Sequence, residues 1–233
     1  MALLTDNEIK EAIKTKGIEI APFDGEHCLQ PASYDLRVGK RAIITKSMGL
    51  EELKKKVEKE ESTEIDVEKA GSMTVPAGGF ALVTTLEKIK FSNLYAGHIG
   101  MRSFFTRKGL SILSGLQIDP GFEGTLVLGL CNLSPRQLTL DYEDRIATIE
   151  IHKLNKATAK PYIGKYTEEQ MEGKIPQQDK YYLRTIETMS MSDLTKSLLT
   201  LSGNIDKLSK QFWYFWIPLI IAIIVGIIVM LWG

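Results

Sequence analysis

The chain has little that would draw it to nucleic acid. Its 29 lysines and arginines are matched by 29 aspartates and glutamates over 233 residues, so no net basic field surrounds it, although local basic patches stay open. Cysteine is scarce too. Cys28 and Cys131 are the only two, which excludes a disulfide scaffold and any zinc-ligand spacing, and suits two buried thiols in a reducing compartment. Neither His-x-Glu nor Pro-Cys-x-x-Cys, the pairing that holds a zinc-activated water, occurs anywhere. No internal repeat is present, and the opening MALLTDNEIKEAIK is too polar for a secretory signal. What remains is a composition of 44% hydrophobic and 25% charged residues, which suits one globular domain plus an appendage.

The appendage is the C-terminus. Phe212 to Trp232 run FWYFWIPLIIAIIVGIIVMLW without a charge, long enough at about 1.5 Å per residue to cross a hydrocarbon core of about 30 Å. Trp213, Tyr214 and Trp216 at one end and Trp232 at the other match interfacial aromatic belts, and lipid tolerates Pro218 and Gly226. A single-pass membrane helix is expected, in contact with membrane lipid. Lys207 and Lys210 precede the span and Gly233 follows it, so the positive-inside rule keeps the folded body cytoplasmic.

Just before the span, Met191, Leu194, Leu198, Leu201, Ile205, Leu208, Phe212 and Phe215 step by threes and fours, the seam of a coiled coil. Packing of one amphipathic helix on the domain is the alternative. Gly203-Asn204 weakens either helix, by about 1 kcal/mol at the glycine.

The body starts with Thr5-Asp6-Asn7-Glu8, a capping box, and Ile9, Ala12 and Ile13 continue it as a short amphipathic helix ending at Lys16-Gly17. From there to about Lys160 the pattern is short alternating or apolar runs broken by turns: GIEIAPFD, ASYDLRVGKRAIIT, GGFALVTTLEKIKF, AGHIGM, GTLVLGLCNLS, RQLTLDYED and RIATIEIHKL. Such a series predicts a mainly β sandwich or barrel. MGLEELKKKVEKEES, residues 48 to 62, reads as an exposed helix with a solvated lysine face.

Chemistry enters at MRSFFTRKGL, residues 101 to 110. Arg102, Ser103 and Arg107 offer guanidinium forks and a hydroxyl that suit a polyphosphate, against the plainer reading of a solvated edge. Asp119, in QIDPGF, is a candidate acid or simply a turn aspartate bonding its own backbone.

Taken together, PASYDLRVG (31 to 39), MRSFFTRKGL (101 to 110), QIDPGFEG (117 to 124), DRIATIEIHKL (144 to 154) and PYIGKY (161 to 166) resemble the dCTP deaminase and dUTPase superfamily in order and approximate spacing, over roughly residues 3 to 170. The resemblance implies a distorted β-barrel of the β-clip or jelly-roll kind, forming a homotrimer that binds a pyrimidine deoxynucleoside triphosphate between subunits. A threefold stalk suits that symmetry. By resemblance, Arg102, Ser103, Arg107 and Gln117 bind nucleotide and phosphate, Asp35 is the aspartate of the first motif, and Asp119 lies by the sugar and the attacking water. Lys165, Tyr166 and Gln170 resemble a C-terminal nucleotide clamp. Mg2+ is implied as the counter-charge of the triphosphate, held by phosphate oxygens and water; zinc is not.

In the deaminases of this superfamily a glutamate on the strand after the DPG turn shuttles protons, and this chain has Gly129 there. General acid-base help of this kind is worth about 10²–10⁴ in rate. Strand alternation places Val127, Gly129 and Cys131 on one face, with no acid among them. Gly129 as a bulge or packing glycine is the competing explanation. Phe104 stands where many members carry a small residue, Thr148 replaces a frequent glutamine, and the glycine-rich C-terminal phosphate loop of dUTPases is missing.

The expected organisation is a nucleotide-binding body over residues 1–186, a coiled-coil stalk over 187–211 and a membrane helix over 212–233. Three functions stay open on the sequence: a triphosphate hydrolase or deaminase, a nucleotide sensor without turnover, and a membrane scaffold that binds no nucleotide.

Overall fold

A computed structural model describes residues 1–45, 64–164, 167–180 and 191–232. The helix expected over 48 to 62, and the clamp residues Lys165 and Tyr166, lie outside the described residues. The protein is mainly β. Among the described residues eleven strands form one curled sheet, seven of them in the order β10 (Gln117–Ile118), β8 (Tyr95–Met101), β13 (Arg145–Lys153), β4 (Ser33–Ile44), β7 (Phe80–Phe91), β11 (Glu123–Asn132) and β9 (Leu110–Ile112), and two more strands pair apart from it.

The alternating segments of the sequence become its main strands: β2 (Ile18–Ala21), β4 (Ser33–Ile44), β7 (Phe80–Phe91), β8 (Tyr95–Met101), β11 (Glu123–Asn132), β12 (Leu138–Asp141) and β13 (Arg145–Lys153). In β13, Ile149 and Ile151 are buried while Glu150 between them is exposed. This two-residue period lets one face join the core.

Strand β4 holds the body together because it belongs to both halves. Its first part pairs with β13, Asp35 lying opposite Thr148, and its second part pairs with β7, Ala42 opposite Val83. The register breaks between Val38 and Ala42, and Gly39 occupies the break. A Cβ on Gly39 would stand 2.4 Å from the Thr85 carbonyl oxygen, so only glycine admits β7 this close. Next to the crossing, Arg37 Nε donates to Glu87 Oε1 at 2.7 Å and the Arg37 backbone N–H donates to Oε2 at 2.8 Å. Glu87 is fully buried; burial pushes its carboxyl above the usual range, opposed by its bonds to Arg37. The two halves close over one apolar core that includes Leu36, Val83, Ile89, Leu128, Leu130 and Ile149.

The expected capping box forms at Asp6–Lys14. Thr5 donates to Glu8 Oε2 from its backbone N–H at 2.9 Å and from its hydroxyl at 2.8 Å. Ile9 and Ala12 are buried below it.

At the other end, Met191–Trp232 is one continuous helix of 42 residues, about 60 Å long. It passes Gly203-Asn204 and Pro218 without interruption. Its stretch Ser197–Trp232 is long and apolar enough to cross a membrane and is not buried against the body. The boundary expected at 186/187 lies outside the described residues, and the helix runs straight through the one expected at 211/212.

Candidate functional site

Asp35 is the peg of a charged cluster. It is 2% exposed, and its Oδ2 lies 3.3 Å from Arg102 Nε and 3.6 Å from Arg145 Nη1. Gln30 Nε2 donates to the same oxygen at 3.3 Å, and Thr148 lies opposite Asp35 across the β4–β13 pairing. Burial pushes the Asp35 carboxyl up, while Arg102, Arg145 and Thr148 pull it back. A carboxylate so enclosed holds two guanidiniums in place and does not itself face a ligand. Arg102 precedes a one-turn helix, Ser103–Thr106, which leaves Ser103 and Arg107 exposed beside it. Phe104 is 51% exposed, and Lys108 Nζ sits over its ring at 3.8 Å.

A second locus surrounds Asp119. Strand β10 (Gln117–Ile118) pairs with β8, Gln117 opposite His98, and the chain then turns through Asp119-Pro120-Gly121 into β11. Gln117 Nε2 donates to Asp119 Oδ1 at 2.6 Å. The two line a cavity of about 260 Å³ whose walls include Ser114, Phe122, Tyr162, Gln170 and Asp179. The C-terminal segment of the body supplies the last three. Tyr162 N–H donates to Pro120 O at 2.7 Å, and its ring lies 5.9 Å from that of Phe122. Gln170 O accepts from the Thr125 hydroxyl at 2.9 Å. Gly124 has φ +144°, and a Cβ there would stand 2.8 Å from Gln170 Cβ, so glycine sets how near this segment comes.

Gly129 is buried in the middle of β11, between Leu82 of β7 on one side and β9 (Leu110–Ile112) with its trailing loop on the other. Leu113 N–H donates to Gly129 O at 2.8 Å. Gly129 N–H donates to Ser114 Oγ, which itself donates to Val127 O. A Cβ at 129 would meet Phe80 Cζ at 3.2 Å, Phe80 Cε2 at 3.4 Å and Ser114 Oγ at 3.5 Å. Phe80, with Leu82 and Val127, is in turn packed against the buried pair Ile43 and Ile175. A side chain at 129 would therefore start in tight contact with an aromatic ring that itself packs on an apolar cluster.

Within one chain the expected residues fall into two groups. Gln117, Asp119 and Gln170 share the cavity; Asp35 and Arg102 form the charged cluster, with Ser103 and Arg107 at its rim. Strand β8 links them. From His98, opposite Gln117, four residues of chain lead to Arg102, about 13 Å if extended. Arg145, Ser114, Tyr162, Asp179 and Phe80 were not singled out by the sequence reading. Arg145 and Tyr162 lie inside the quoted segments, but only long-range pairing shows what they touch.

The comparisons with known proteins agree with this architecture. Residues 3–154 match the family described as dCTP deaminase-like. The chain belongs to the dCTP deaminase-like family. It is 37% identical over 164 residues to the dCTP deaminase of Thermococcus sibiricus, covering 70% of this chain and 90% of that one. It is 30% identical over 167 residues to the dUMP-forming dCTP deaminase of Methanosphaera stadtmanae, covering 70% and 84%. Among solved structures it resembles the 2'-deoxycytidine 5'-triphosphate deaminase of Agrobacterium tumefaciens, with TM-score 0.51 and 17% identity over 65% of this chain and 48% of that chain. That likeness is one of fold.

Among the described residues of this dCTP deaminase-like chain, no group of three or more His, Cys, Asp and Glu could hold a metal ion. Asp35 is committed to two arginines, and Asp119 is exposed with an amide donor on it. These groups suit a cation carried by a triphosphate, with oxygens from phosphate and water, better than a site built from protein ligands.

Proposed function

We propose that this protein is a membrane-anchored homotrimer that binds a pyrimidine deoxynucleoside triphosphate, together with Mg2+, and does not remove its amino group. The observation that carries the reading is the contrast between two places in one site. The arginine cluster braced by Asp35 keeps donors suited to phosphate, while the space beside Gly129 is filled by Phe80 and Ser114.

The cavity at Asp119 is below the roughly 300–1,000 Å³ of sites for drug-sized ligands, so it takes the base and sugar. The triphosphate leads outward to Arg102, Ser103 and Arg107 of an adjoining subunit, since within one chain these lie away from the cavity. Lys165 and Tyr166 complete the clamp. A helix that spans the bilayer from the cytoplasmic side, with a coiled coil above it, passes occupancy of the body to the membrane.

Hydrolysis without deamination is a second reading, favoured by one feature: Asp119 is exposed at the cavity and polarised by Gln117 at 2.6 Å, a geometry that suits holding a water.

The test uses the full chain in detergent with Mg2+ and dCTP or dUTP, following thermal shift, ammonia and pyrophosphate. A shift that Arg102→Ala weakens, without ammonia, is the expected result. Pyrophosphate release would move the reading to hydrolysis, and no shift with either nucleotide would leave the scaffold.

A further inference from the structure

A carboxylate from beyond the β body reaches the cavity at Asp119. Asp179 lines the same cavity as Gln117 and Asp119, yet it belongs to the segment that follows the β body. Its position is fixed on both sides. Four residues before it, Ile175 is 1% exposed and packs with Ile43 against Phe80, Leu82 and Val127. One residue after it, Lys180 Nζ donates to Glu64 Oε2 at 2.7 Å and Lys180 N–H to Pro176 O at 3.1 Å. Gln177 N–H donates to Glu169 Oε1 at 3.2 Å and ties the segment to itself.

We infer that Asp179 reads the base, accepting a hydrogen bond from the exocyclic amino group of a cytosine nucleotide and thereby selecting it over uracil. This rests on the nucleotide reading above and goes beyond it by naming the base and the residue that chooses it. Ionised aspartate is acceptor-only. The cytosine edge offers it the N4 amino donor, whereas uracil offers a carbonyl oxygen at that position, which a carboxylate repels.

Two further observations agree. Among the described residues no donor reaches the Asp179 carboxylate. Burial, and then the nearby negative charge of Glu169, push its pKa up. Both causes disfavour the ionised form, and a ligand N–H would favour it. Of the other polar groups of the cavity, Gln117 is engaged with Asp119, and Ser114 bridges Val127 O and Gly129 N.

The test measures dissociation constants of the full chain in detergent, with Mg2+, for dCTP, for dUTP and for the 2-pyrimidinone deoxynucleoside triphosphate, which lacks the amino group. The wild-type chain is expected to prefer dCTP over both by roughly ten- to a hundredfold. Asp179→Asn, whose amide also donates to a carbonyl, is expected to bring dCTP and dUTP to within a few-fold of each other. An unchanged dCTP:dUTP ratio in Asp179→Asn overturns the inference and leaves nucleotide binding standing. If no nucleotide binds the wild-type chain, the underlying reading fails and the inference with it. Should Asp179→Asn not fold, the ligand series decides, and equal wild-type affinity for dCTP and the pyrimidinone analogue overturns the assignment.

Discussion

Placing a glutamate at position 129 is the sharpest perturbation of the site. The first added atom already stands 3.2 Å from Phe80 Cζ and 3.5 Å from Ser114 Oγ, and the rest of the side chain must displace the ring from its cluster with Ile43 and Ile175. Overpacking of this kind costs about 1–3 kcal/mol. The polar group nearest the added atom, the Ser114 hydroxyl, is already bonded to Val127 O, and a carboxyl group left without a donor costs about 1–3 kcal/mol more. Removing glycine from a strand returns about 0.5–1 kcal/mol. The balance is a loss of about 1–5 kcal/mol, or about 2–20 °C in Tm for a body of this size. Gly129→Glu is therefore expected to melt lower and to release no ammonia from dCTP. Combining it with Phe80→Ala, which opens the space, is expected to cost less than the sum of the two single changes, because the residues touch. Thermal melts and a coupled ammonia assay read both outcomes. A Gly129→Glu chain that melts like wild type and deaminates dCTP would refute the packing argument.

Other perturbations follow from the same contacts. Asp35 has a folded pKa above its unfolded value, so its contribution to stability is complete below the ordinary carboxylate value of about 3.9 and is lost as pH rises through the raised value. The Tm advantage of wild type over Asp35→Asn is accordingly expected to shrink from acid towards neutral pH, and an advantage that grows instead would contradict the burial argument. Glu87→Ala leaves Arg37 without its buried partner and is expected to cost about 3–5 kcal/mol in denaturant melts; a loss below 1 kcal/mol would mean the pair is solvated. Ending the chain at residue 186 is expected to move it from the membrane to the soluble fraction on ultracentrifugation, while Lys207→Ala with Lys210→Ala leaves it in the membrane.

Much of this architecture was legible because its signals are local. The two-residue period of ATIEIHK and the Thr5-Glu8 spacing each specify an element from neighbours in sequence, and both elements form. The position of Gly129 on its strand follows from the same alternation. What fills the space beside Gly129 does not. Phe80 reaches it through the pairing of β7 with β11, and Ser114 through the loop after β9. Likewise Arg145 meets Asp35 across strands far apart in sequence, and Asp179 reaches the cavity only because Ile175 docks on the second apolar cluster. Gly203-Asn204 is expected to weaken the helix and Pro218 to be tolerated in it, and the helix runs through both. Costs of about 1 kcal/mol at the glycine, and of about 3 kcal/mol at the proline, are small against the backbone bonds that 42 residues retain.

Whether a bound nucleotide keeps its amino group is the most direct measurement. The full chain in lipid nanodiscs would be dialysed to equilibrium against labelled dCTP and Mg2+, and the bound fraction recovered and identified by chromatography. The account predicts saturable binding with dCTP recovered at its input amount and ammonia at background; dUTP or dUMP accumulating with time in the wild-type chain, and not in Arg102→Ala, would contradict it.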